Sequence, residues 1–307
     1  GFTHLQRGQP IWLGHHLLAH AWAHRRDAER LGDALRRLDQ CPLGAGAMAG
    51  TPHPIDRTVA AEQLGFSEPV PNAMDAVAAR DHQIEAVSVC ALVMSHLSRQ
   101  SEELVVWSSS EFAFVRLSEA YATGSSIMPQ KRNPDAPELV RGKAGRVMGH
   151  LQALHVMVKG LPLAYNRDLQ EDRQALFDAV QTTQACVTIT ADVWRSLTVH
   201  RERYAEALKG DFLLATEVAD FLVTRGVPFR EAHHVSGQVV AWCEAQGGNL
   251  SLLDADNVGQ FHPSLDADVL GWLDPATAAD RRTSLGGTAW ARVEEQVGAL
   301  RAWVAAG

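Results

Sequence analysis

Cysteine is rare in this chain, and the few cysteines are widely separated. The 307 residues include four, Cys41, Cys90, Cys186 and Cys243, and no Cys-x-x-Cys pair. Disulfide frameworks and zinc sites need cysteines at short or regular spacings. The pattern therefore fits isolated buried thiols in a reducing compartment better than a disulfide framework or a zinc site, and we expect that compartment to be the cytoplasm.

Long apolar runs and basic clusters are also absent. No uncharged apolar window reaches the roughly 18 residues that a membrane-spanning helix requires. The net charge is −8, and no run of lysine or arginine offers a stripe for phosphates. We therefore expect neither a membrane nor a nucleic acid as a partner. With 46% hydrophobic and 21% charged residues, the chain has the composition of a globular protein.

The polar and apolar alternation of half-buried strands does not extend over any length of the sequence. Instead, apolar residues recur with the 3.6-residue period of a helix over four long stretches, 11–38, 72–107, 134–159 and 169–197. At about 1.5 Å per residue, each would span on the order of 35–50 Å, more than one compact domain needs. The sequence therefore predicts an all-α fold, a long-helix bundle whose rods pack against rods of other subunits.

Beyond Thr198 the helical stretches become shorter and are separated by glycine and proline. The predicted helices there cover 201–207, 211–224, 228–244 and 288–304. We place a domain boundary at this change. Residues 1–198 are predicted to form the central long-helix bundle domain with the active-site segments, and residues 199–307 a smaller C-terminal helical domain.

Three histidines of the first predicted helix, His16, His20 and His24, follow one another at intervals of four residues. Such spacing can align side chains as metal ligands on one helix face. No carboxylate or cysteine in the pattern completes a convincing ligand set, and exposed histidines are ordinary on helices. We therefore predict no metal and no cofactor.

The stretch that most strongly indicates chemistry is 123–138, TGSSIMPQKRNPDAPE. Its glycine and serines suit a mobile loop that brings N–H groups close to a ligand, and Ile127, Met128 and Pro129 would anchor that loop. Residues 133–135, Asn-Pro-Asp, predict the N-cap, N1 and N2 positions of a helix. Lys131 adds a compact ammonium in a chain with only four lysines among 28 basic residues. Hydroxyls, an ammonium and a helix N-terminus together favour a carboxylate-bearing substrate.

Taken whole, the segment GSSIMPQKRNPD resembles the signature loop of the fumarase/aspartase superfamily, whose members cleave C–N or C–O bonds to release fumarate. The resemblance implies that Ser125 is the general base and that Lys131 and Asn133 hold a substrate carboxylate. It further implies that Glu138 supports a catalytic histidine.

Three further stretches resemble the branch of this superfamily that cleaves argininosuccinate. They are GFTHLQRGQP (1–10), LVVWSSSEFAFVRL (104–117) and GLPLAYNRDLQEDR (160–173). By position, the resemblance implies that Thr3 binds substrate, that His4 is catalytic, and that Tyr165 and Gln170 contact argininosuccinate. Arg173 stands where the branch usually has lysine; because either cation can hold a carboxylate, this change affects affinity more than activity.

The resemblance also implies a homotetramer whose active sites draw segments from three subunits, with argininosuccinate, arginine and fumarate as its small-molecule ligands. The N-terminal domain of the branch and its Ser-Arg-Asn-Asp segment have no counterpart here, and the chain begins at Gly1 without a methionine. We therefore expect that an N-terminal part is missing. We also expect the 307 residues alone to associate without releasing fumarate.

The chemistry implied by the resemblance fits these residue types. Removing a weakly acidic C–H proton beside a carboxylate piles charge onto that carboxylate, and Lys131 and Asn133 would stabilise it. Ser125 could act as a base only in such positive surroundings, and His4, polarised by Glu138, would orient substrate or carry a proton.

Other interpretations stay open. His4 could be an ordinary surface residue and Glu138 a partner of the helix dipole. A related lyase acting on adenylosuccinate or aspartate is a second possibility, against which Tyr165 and Gln170 argue. A non-catalytic structural protein on the same fold is a third, against which the joint presence of Ser125, His4, Lys131 and Glu138 argues.

Overall fold

The computed structural model describes residues 1–124, 126–209 and 212–307, and helices dominate it. In chain order the α-helices of these residues are α1 (Leu13–Leu38), α2 (Arg57–Leu64), α3 (Ala73–Ala78), α4 (Asp81–Ser108), α5 (Asp135–Val158), α6 (Asp172–Ser196), α7 (Arg201–Ala207), α8 (Ala215–Thr224), α9 (Phe229–Ala245), α10 (Pro275–Asp280) and α11 (Trp290–Ala305). Short 3-10 helices cover Arg167–Glu171, Leu250–Leu252, Val258–Gln260 and Ala267–Trp272. The all-α fold class predicted from the sequence is confirmed.

Strands occur in the described residues as two-residue pieces. They are β1 (Phe2–Thr3), β2 (Gln6–Arg7), β3 (Gln40–Cys41), β4 (Glu68–Pro69), β5 (Val115–Arg116), β6 (Thr123–Gly124), β7 (Arg132–Asn133) and β8 (Thr198–Val199). The ladders β1–β2, β5–β8 and β6–β7 are antiparallel, and β3–β4 is parallel. Each ladder pairs short segments that lie outside the helices, so the strands of the described residues fix loops and do not form a sheet core.

The chain divides into two compact units, Ala23–His200 and Gly1–Trp22 with Arg201–Gly307. The sequence instead predicts one domain for the whole of 1–198. Its division into a central bundle domain and a C-terminal domain stays a prediction.

The core of the unit Ala23–His200 lies between α4, α5 and α6. Its fully buried or nearly buried members include Val87, Met94, Leu97, Val140, Val147, Leu154, Ala179 and Cys186. On each helix these residues recur at helical intervals, which places them on one face. Burying such a Val, Leu or Met side chain contributes roughly 1.5–3 kcal/mol, so the three stripes hold the long helices together.

Helix α1 is attached to α4 by polar contacts. Asp27 is 3% exposed, and its carboxylate lies 2.7 Å from His96 Nδ1. Near the end of α1, Arg37 Nε donates to both carboxylate oxygens of Glu85 at 2.9 Å. The pKa of Glu85 is lowered, because Arg37 donates this hydrogen bond to its charged form.

In the unit Gly1–Trp22 with Arg201–Gly307, α8 and α9 pack against the short 3-10 helices. Their core includes Val218, Phe221, Leu222, Val235, Val239, Cys243, Leu265 and Val269. Within it, Glu217 is 2% exposed and accepts hydrogen bonds from Arg281 (2.8 Å from Nη2) and from Arg282. Arg281 also lies over the ring of Trp272, 4.4 Å from its centroid. A buried carboxylate is stable here because two guanidinium groups neutralise it.

Several predicted helix limits are wrong. The stretch 72–107 is two helices: α3 ends at Ala78, and α4 begins at Asp81. Asn72 caps α3 with its side chain, which accepts from the N–H groups of Met74 and Asp75. The predicted start at Asp211 lies outside the described residues, and α8 begins at Ala215. Helices α2 and α10 lie outside the predicted helical stretches, because helices this short show no clear 3.6-residue period.

All four cysteines are free and buried, as the sequence predicts. Burial raises the pKa of the Cys90, Cys186 and Cys243 thiols. None of the helices in the described residues is long and apolar enough to cross a membrane.

Candidate functional site

The signature segment forms a loop whose two ends are joined by a ladder. Strand β6 pairs with β7 so that Thr123 faces Asn133 and Gly124 faces Arg132. Ser125, the predicted general base, lies outside the described residues. Asn133, predicted to hold a substrate carboxylate, therefore lies on the strand that pairs with Thr123 and Gly124, the two residues before the predicted base.

The helix that follows this loop starts one residue later than predicted. Helix α5 begins at Asp135, and Pro134 occupies the N-cap position without a side-chain cap. The N-cap assignment of Asn133 is therefore wrong, because pairing with Thr123 holds its backbone in β7. The side chain of Asp135 instead accepts hydrogen bonds from the N–H (3.1 Å) and the hydroxyl of Thr123, closing the base of the loop. The sequence pattern does not predict this role of Asp135.

The loop between the strands is exposed. Ile127 is 86% exposed and Met128 42% exposed, so the predicted apolar anchor is wrong. The Lys131 side chain is exposed as well. The backbone N–H of Lys131 donates to the carbonyl of Met128 at 3.0 Å. Its neighbour Arg132 forms an ion pair with Glu119 at 2.9 Å. An exposed ammonium beside a turn is available to an anionic ligand.

Glu138 lies in the first turn of α5, where a carboxylate is favoured by the helix dipole. Its carboxylate is exposed and stands 3.8 Å from the guanidinium of Arg141. Arg141 in turn binds Glu102 of α4. These contacts direct Glu138 along the surface of α5, and its predicted support of a histidine stays a prediction.

Thr3 and His4 belong to the unit Gly1–Trp22 with Arg201–Gly307. Strands β1 and β2 form a hairpin in which Thr3 faces Gln6, and His4 and Leu5 are the two turn residues. Both have positive φ, 55° and 58°, as a type I′ turn demands. Such turns favour Asn and Gly, so His and Leu here are strained. Leu5 shares this conformation, so the turn does not by itself distinguish His4, and the catalytic role of His4 stays a prediction.

The substrate-selecting segment predicted at 160–173 connects α5 to α6. Tyr165 and Gln170, both predicted substrate contacts, meet here: Gln170 Nε2 donates to the Tyr165 hydroxyl at 2.8 Å. Tyr165 is 49% exposed, and Arg173 is also exposed. The structure thus pairs a phenol with an amide on an accessible segment, and the exposed guanidinium of Arg173 follows in sequence at the start of α6. Groups of these kinds can bind a polar, carboxylate-bearing molecule.

The three histidines of α1, His16, His20 and His24, do not share the same neighbours. The rings of His16 and His20 lie 5.7 Å apart, centroid to centroid. His24 instead contacts Gln100 (3.3 Å) and Asp27 (3.5 Å).

A cavity of about 280 Å³ between α5 and α6 is lined by His150, Ala153, Leu154, Met157, Glu171, Gln174 and Ala175. None of the predicted site residues lines it.

The chain is similar to known proteins over nearly its whole length. Residues 1–149 match a family model described as "Lyase", and residues 212–280 match one described as "Argininosuccinate lyase C-terminal". The argininosuccinate lyase of Symbiobacterium thermophilum is 54% identical over 297 residues, which cover 97% of this chain and 64% of that protein. The argininosuccinate lyase of Synechococcus sp. (strain CC9605) is 54% identical over 305 residues, covering 99% of this chain and 64% of that protein.

Among solved structures, EDDS lyase in complex with formate superposes with a TM-score of 0.89 and 30% identity, covering 99% of this chain and 64% of that one. A 3-carboxy-cis,cis-muconate lactonizing enzyme from Pseudomonas putida shares the fold, with a TM-score of 0.79 and 22% identity. The chain spans 64% of the length of the first of these curated relatives.

The long-helix core and the signature segment at the start of α5 define the class of protein, a lyase of the fumarase/aspartase superfamily. Within that class, the chain belongs to the argininosuccinate lyase family.

Proposed function

We propose that the protein containing this chain is an argininosuccinate lyase, which reversibly cleaves argininosuccinate to arginine and fumarate in arginine biosynthesis. One observation carries this proposal: 54% identity to an enzyme of that name, maintained over 97% of the chain. A second enzyme of that name is 54% identical over 305 residues, 99% of the chain, so the similarity extends over nearly the whole sequence.

In the proposed reaction, a base removes a proton from the carbon beside a substrate carboxylate. The electron pair released from that C–H bond forms the new double bond, the C–N bond breaks, and the leaving nitrogen keeps the bonding pair and takes up a proton. Ser125 is the proposed base. Lys131 and Asn133 would stabilise the charge that develops on the carboxylate, and such electrostatic stabilisation is typically the largest contribution to catalysis. This chemistry uses side chains only and calls for no cofactor.

His4 and Glu138 complete the proposed catalytic set, with His4 orienting the substrate or carrying a proton. Thr3, adjacent to His4 in the hairpin, is proposed to bind substrate. The hairpin supports this role, because its tight turn presents the exposed His4 side chain at the tip, where a ligand can reach it.

Tyr165, Gln170 and Arg173 are the proposed determinants of substrate choice. Their shared location on one exposed segment, with Gln170 already bonded to Tyr165, supports this assignment. Arg173 presents a planar fork that can bind a carboxylate with two parallel hydrogen bonds.

We also propose a cytoplasmic homotetramer with active sites shared between subunits. Large apolar side chains are exposed on the long helices of the unit Ala23–His200, among them Leu35 (60%), Leu139 (62%), Val156 (54%) and Phe177 (59%). Soluble monomers rarely expose such a set, so covering it with other copies of the chain would be favourable. Free, buried cysteines agree with a reducing compartment.

Replacing Ser125 tests the proposed chemistry. In the product of the complete reading frame that contains this chain, Ser125→Ala should lower turnover of argininosuccinate by orders of magnitude while leaving KM nearly unchanged, because the hydroxyl acts in proton removal. Ser126→Ala, which removes the neighbouring hydroxyl, is the matched control and should retain most of the activity. Equal activities of the two variants would remove Ser125 from the mechanism.

A further inference from the structure

The segment that carries Tyr165, Gln170 and Arg173 has little of its own structure to hold it. It leaves α5 after Val158, passes through exposed residues and ends in the 3-10 helix Arg167–Glu171. Its internal contacts are local, such as Asn166 Nδ2 donating to the carbonyl of Pro162 at 2.8 Å. An accessible segment that selects substrate needs firm attachment at its ends, because small displacements of binding groups cost affinity.

One such attachment is a buried carboxylate at its C-terminal end. Asp172 is 4% exposed and is the first residue of α6. Its Oδ2 accepts from Arg80 Nε at 2.6 Å and from Gln83 Nε2 at 3.0 Å. Arg80 and Gln83 belong to the start of α4, 92 and 89 residues away in the chain. The end of the segment is therefore fixed to a different helix.

The guanidinium of Arg80 is itself held in place by the break between α3 and α4. Because the helix is interrupted there, two backbone carbonyls accept from Arg80 Nη1, those of Ala79 at 2.7 Å and Val77 at 3.3 Å. The Arg80 side chain is 17% exposed. The helix break thus orients Arg80, and Arg80 orients Asp172.

We propose that Arg80 and Asp172 are positioning residues for substrate selection: the buried ion pair sets the placement of Gln170 and Arg173, which flank Asp172 in sequence. This inference rests on the proposed argininosuccinate lyase function. Replacing a buried ion pair with apolar residues often leaves stability unchanged, so its value here is in the geometry that it imposes. Neither residue touches substrate; both act through the segment.

Steady-state kinetics of the product of the complete reading frame test the proposal. Asp172→Asn keeps the shape of the side chain and removes its charge, and Arg80→Met removes the donor. Both should raise KM for argininosuccinate about tenfold, the equivalent of one misplaced hydrogen bond to substrate, and change kcat less than about threefold. Arg80→Lys keeps the charge and one donor position, so its KM should fall between those of Arg80→Met and the parent.

The matched control is Asp178→Asn, also on α6. Like Asp172, Asp178 accepts a hydrogen bond from an arginine, Arg146 Nε at 2.6 Å, and it also contacts His150, but it is more exposed than Asp172 and lies outside the segment. Its KM should stay at the parental value. An unchanged KM in folded Asp172→Asn protein, or an equal rise in Asp178→Asn protein, would overturn the proposal.

Limited trypsin digestion provides a readout that does not depend on turnover. Trypsin cleaves after arginine, so cleavage at Arg167 and Arg173 reports how often the segment opens. In Arg80→Met protein this cleavage should accelerate about tenfold, while cleavage after Arg195 at the far end of α6 stays at the parental rate. Uniform acceleration at all sites would mean a purely structural ion pair and would refute the positioning role. If the parent released no fumarate from argininosuccinate, the proposed function would fail, and the digestion would still decide whether the pair holds the segment.

Discussion

Exchanging His4 for asparagine separates its chemistry from its structural setting. His4 occupies the first position of a two-residue turn with φ 55°, and Leu5 follows with φ 58°. Asparagine adopts this left-handed conformation more readily than histidine, and it is a preferred residue of type I′ turns. His4→Asn therefore removes the imidazole while preserving the hairpin.

The expected effect on stability is small and of known sign. A non-glycine residue in the left-handed region costs on the order of 1 kcal/mol, part of which asparagine recovers. His4 is exposed, so loss of its ring gives up little buried surface. The free energy of unfolding should therefore stay the same or rise by up to about 1 kcal/mol. Turnover of argininosuccinate should fall about 10²–10⁴-fold, the usual contribution of a group that transfers protons.

The assay combines urea unfolding with fumarate release, measured on the same preparations of the complete reading-frame product. Leu5→Asn is the matched control, because it relieves the same kind of strain in the same turn and removes no catalytic group. It should gain similar stability and keep its turnover. Near-parental turnover in His4→Asn protein would refute the catalytic role. An equal loss in both variants would show that the shape of the hairpin matters and the imidazole does not.

Three further predictions concern single residues. Lys131→Arg should be severely impaired despite its retained charge, since a planar fork cannot occupy the place of an ammonium; near-normal kcat would make Lys131 only a source of positive field. Glu217→Gln should destabilise the chain in urea by about 3 kcal/mol, because it leaves the part-buried Arg281 without a counter-charge and Arg282 with Asp220 alone, whereas the exposed Glu295→Gln should cost less than about 1 kcal/mol; equal effects would contradict this. Asp280 accepts hydrogen bonds from Trp12 Nε1 (2.7 Å) and the N–H of Trp290 (2.9 Å), which lower its pKa from 3.8. The stability that the charged Asp280 contributes should be fully present above the pKa of the unfolded state and should disappear as pH falls through the lower folded pKa. Asp280→Asn should therefore reduce stability at neutral pH, and its acid unfolding curve, followed by circular dichroism, should converge with that of the parent. A constant difference at all pH values would contradict this.

The long helices could be predicted from sequence because burial on one face imposes a 3.6-residue period on the chain. The α1, α5 and α6 helices lie within two or three residues of the stretches expected for them. The break between α3 and α4 could not be predicted in this way. The contacts found at this break, from Arg80 to the carbonyl of Ala79 and to Asp172, involve a partner 92 residues away and leave no periodic signal in the sequence.

The sequence could predict which residues belong to the candidate site, but not their conformation or exposure. The pattern 133–135 is locally a helix start, but pairing of Asn133 with Thr123 shifts the cap by one residue. Exposure of Ile127 likewise could not be read from its apolar character, since an isolated surface apolar residue is common. The turn conformation of His4 had no signal either, because His-Leu is an unusual pair for a type I′ turn.

The central claim is the elimination reaction, and product release tests it most directly. The product of the complete reading frame is incubated with argininosuccinate and, separately, with adenylosuccinate and with aspartate, while fumarate is followed by ultraviolet absorbance and arginine by amino-acid analysis. We predict fumarate and arginine in equal amounts from argininosuccinate, and no fumarate from the other two. Absence of fumarate from argininosuccinate, or faster release from adenylosuccinate or aspartate, would contradict the proposed function.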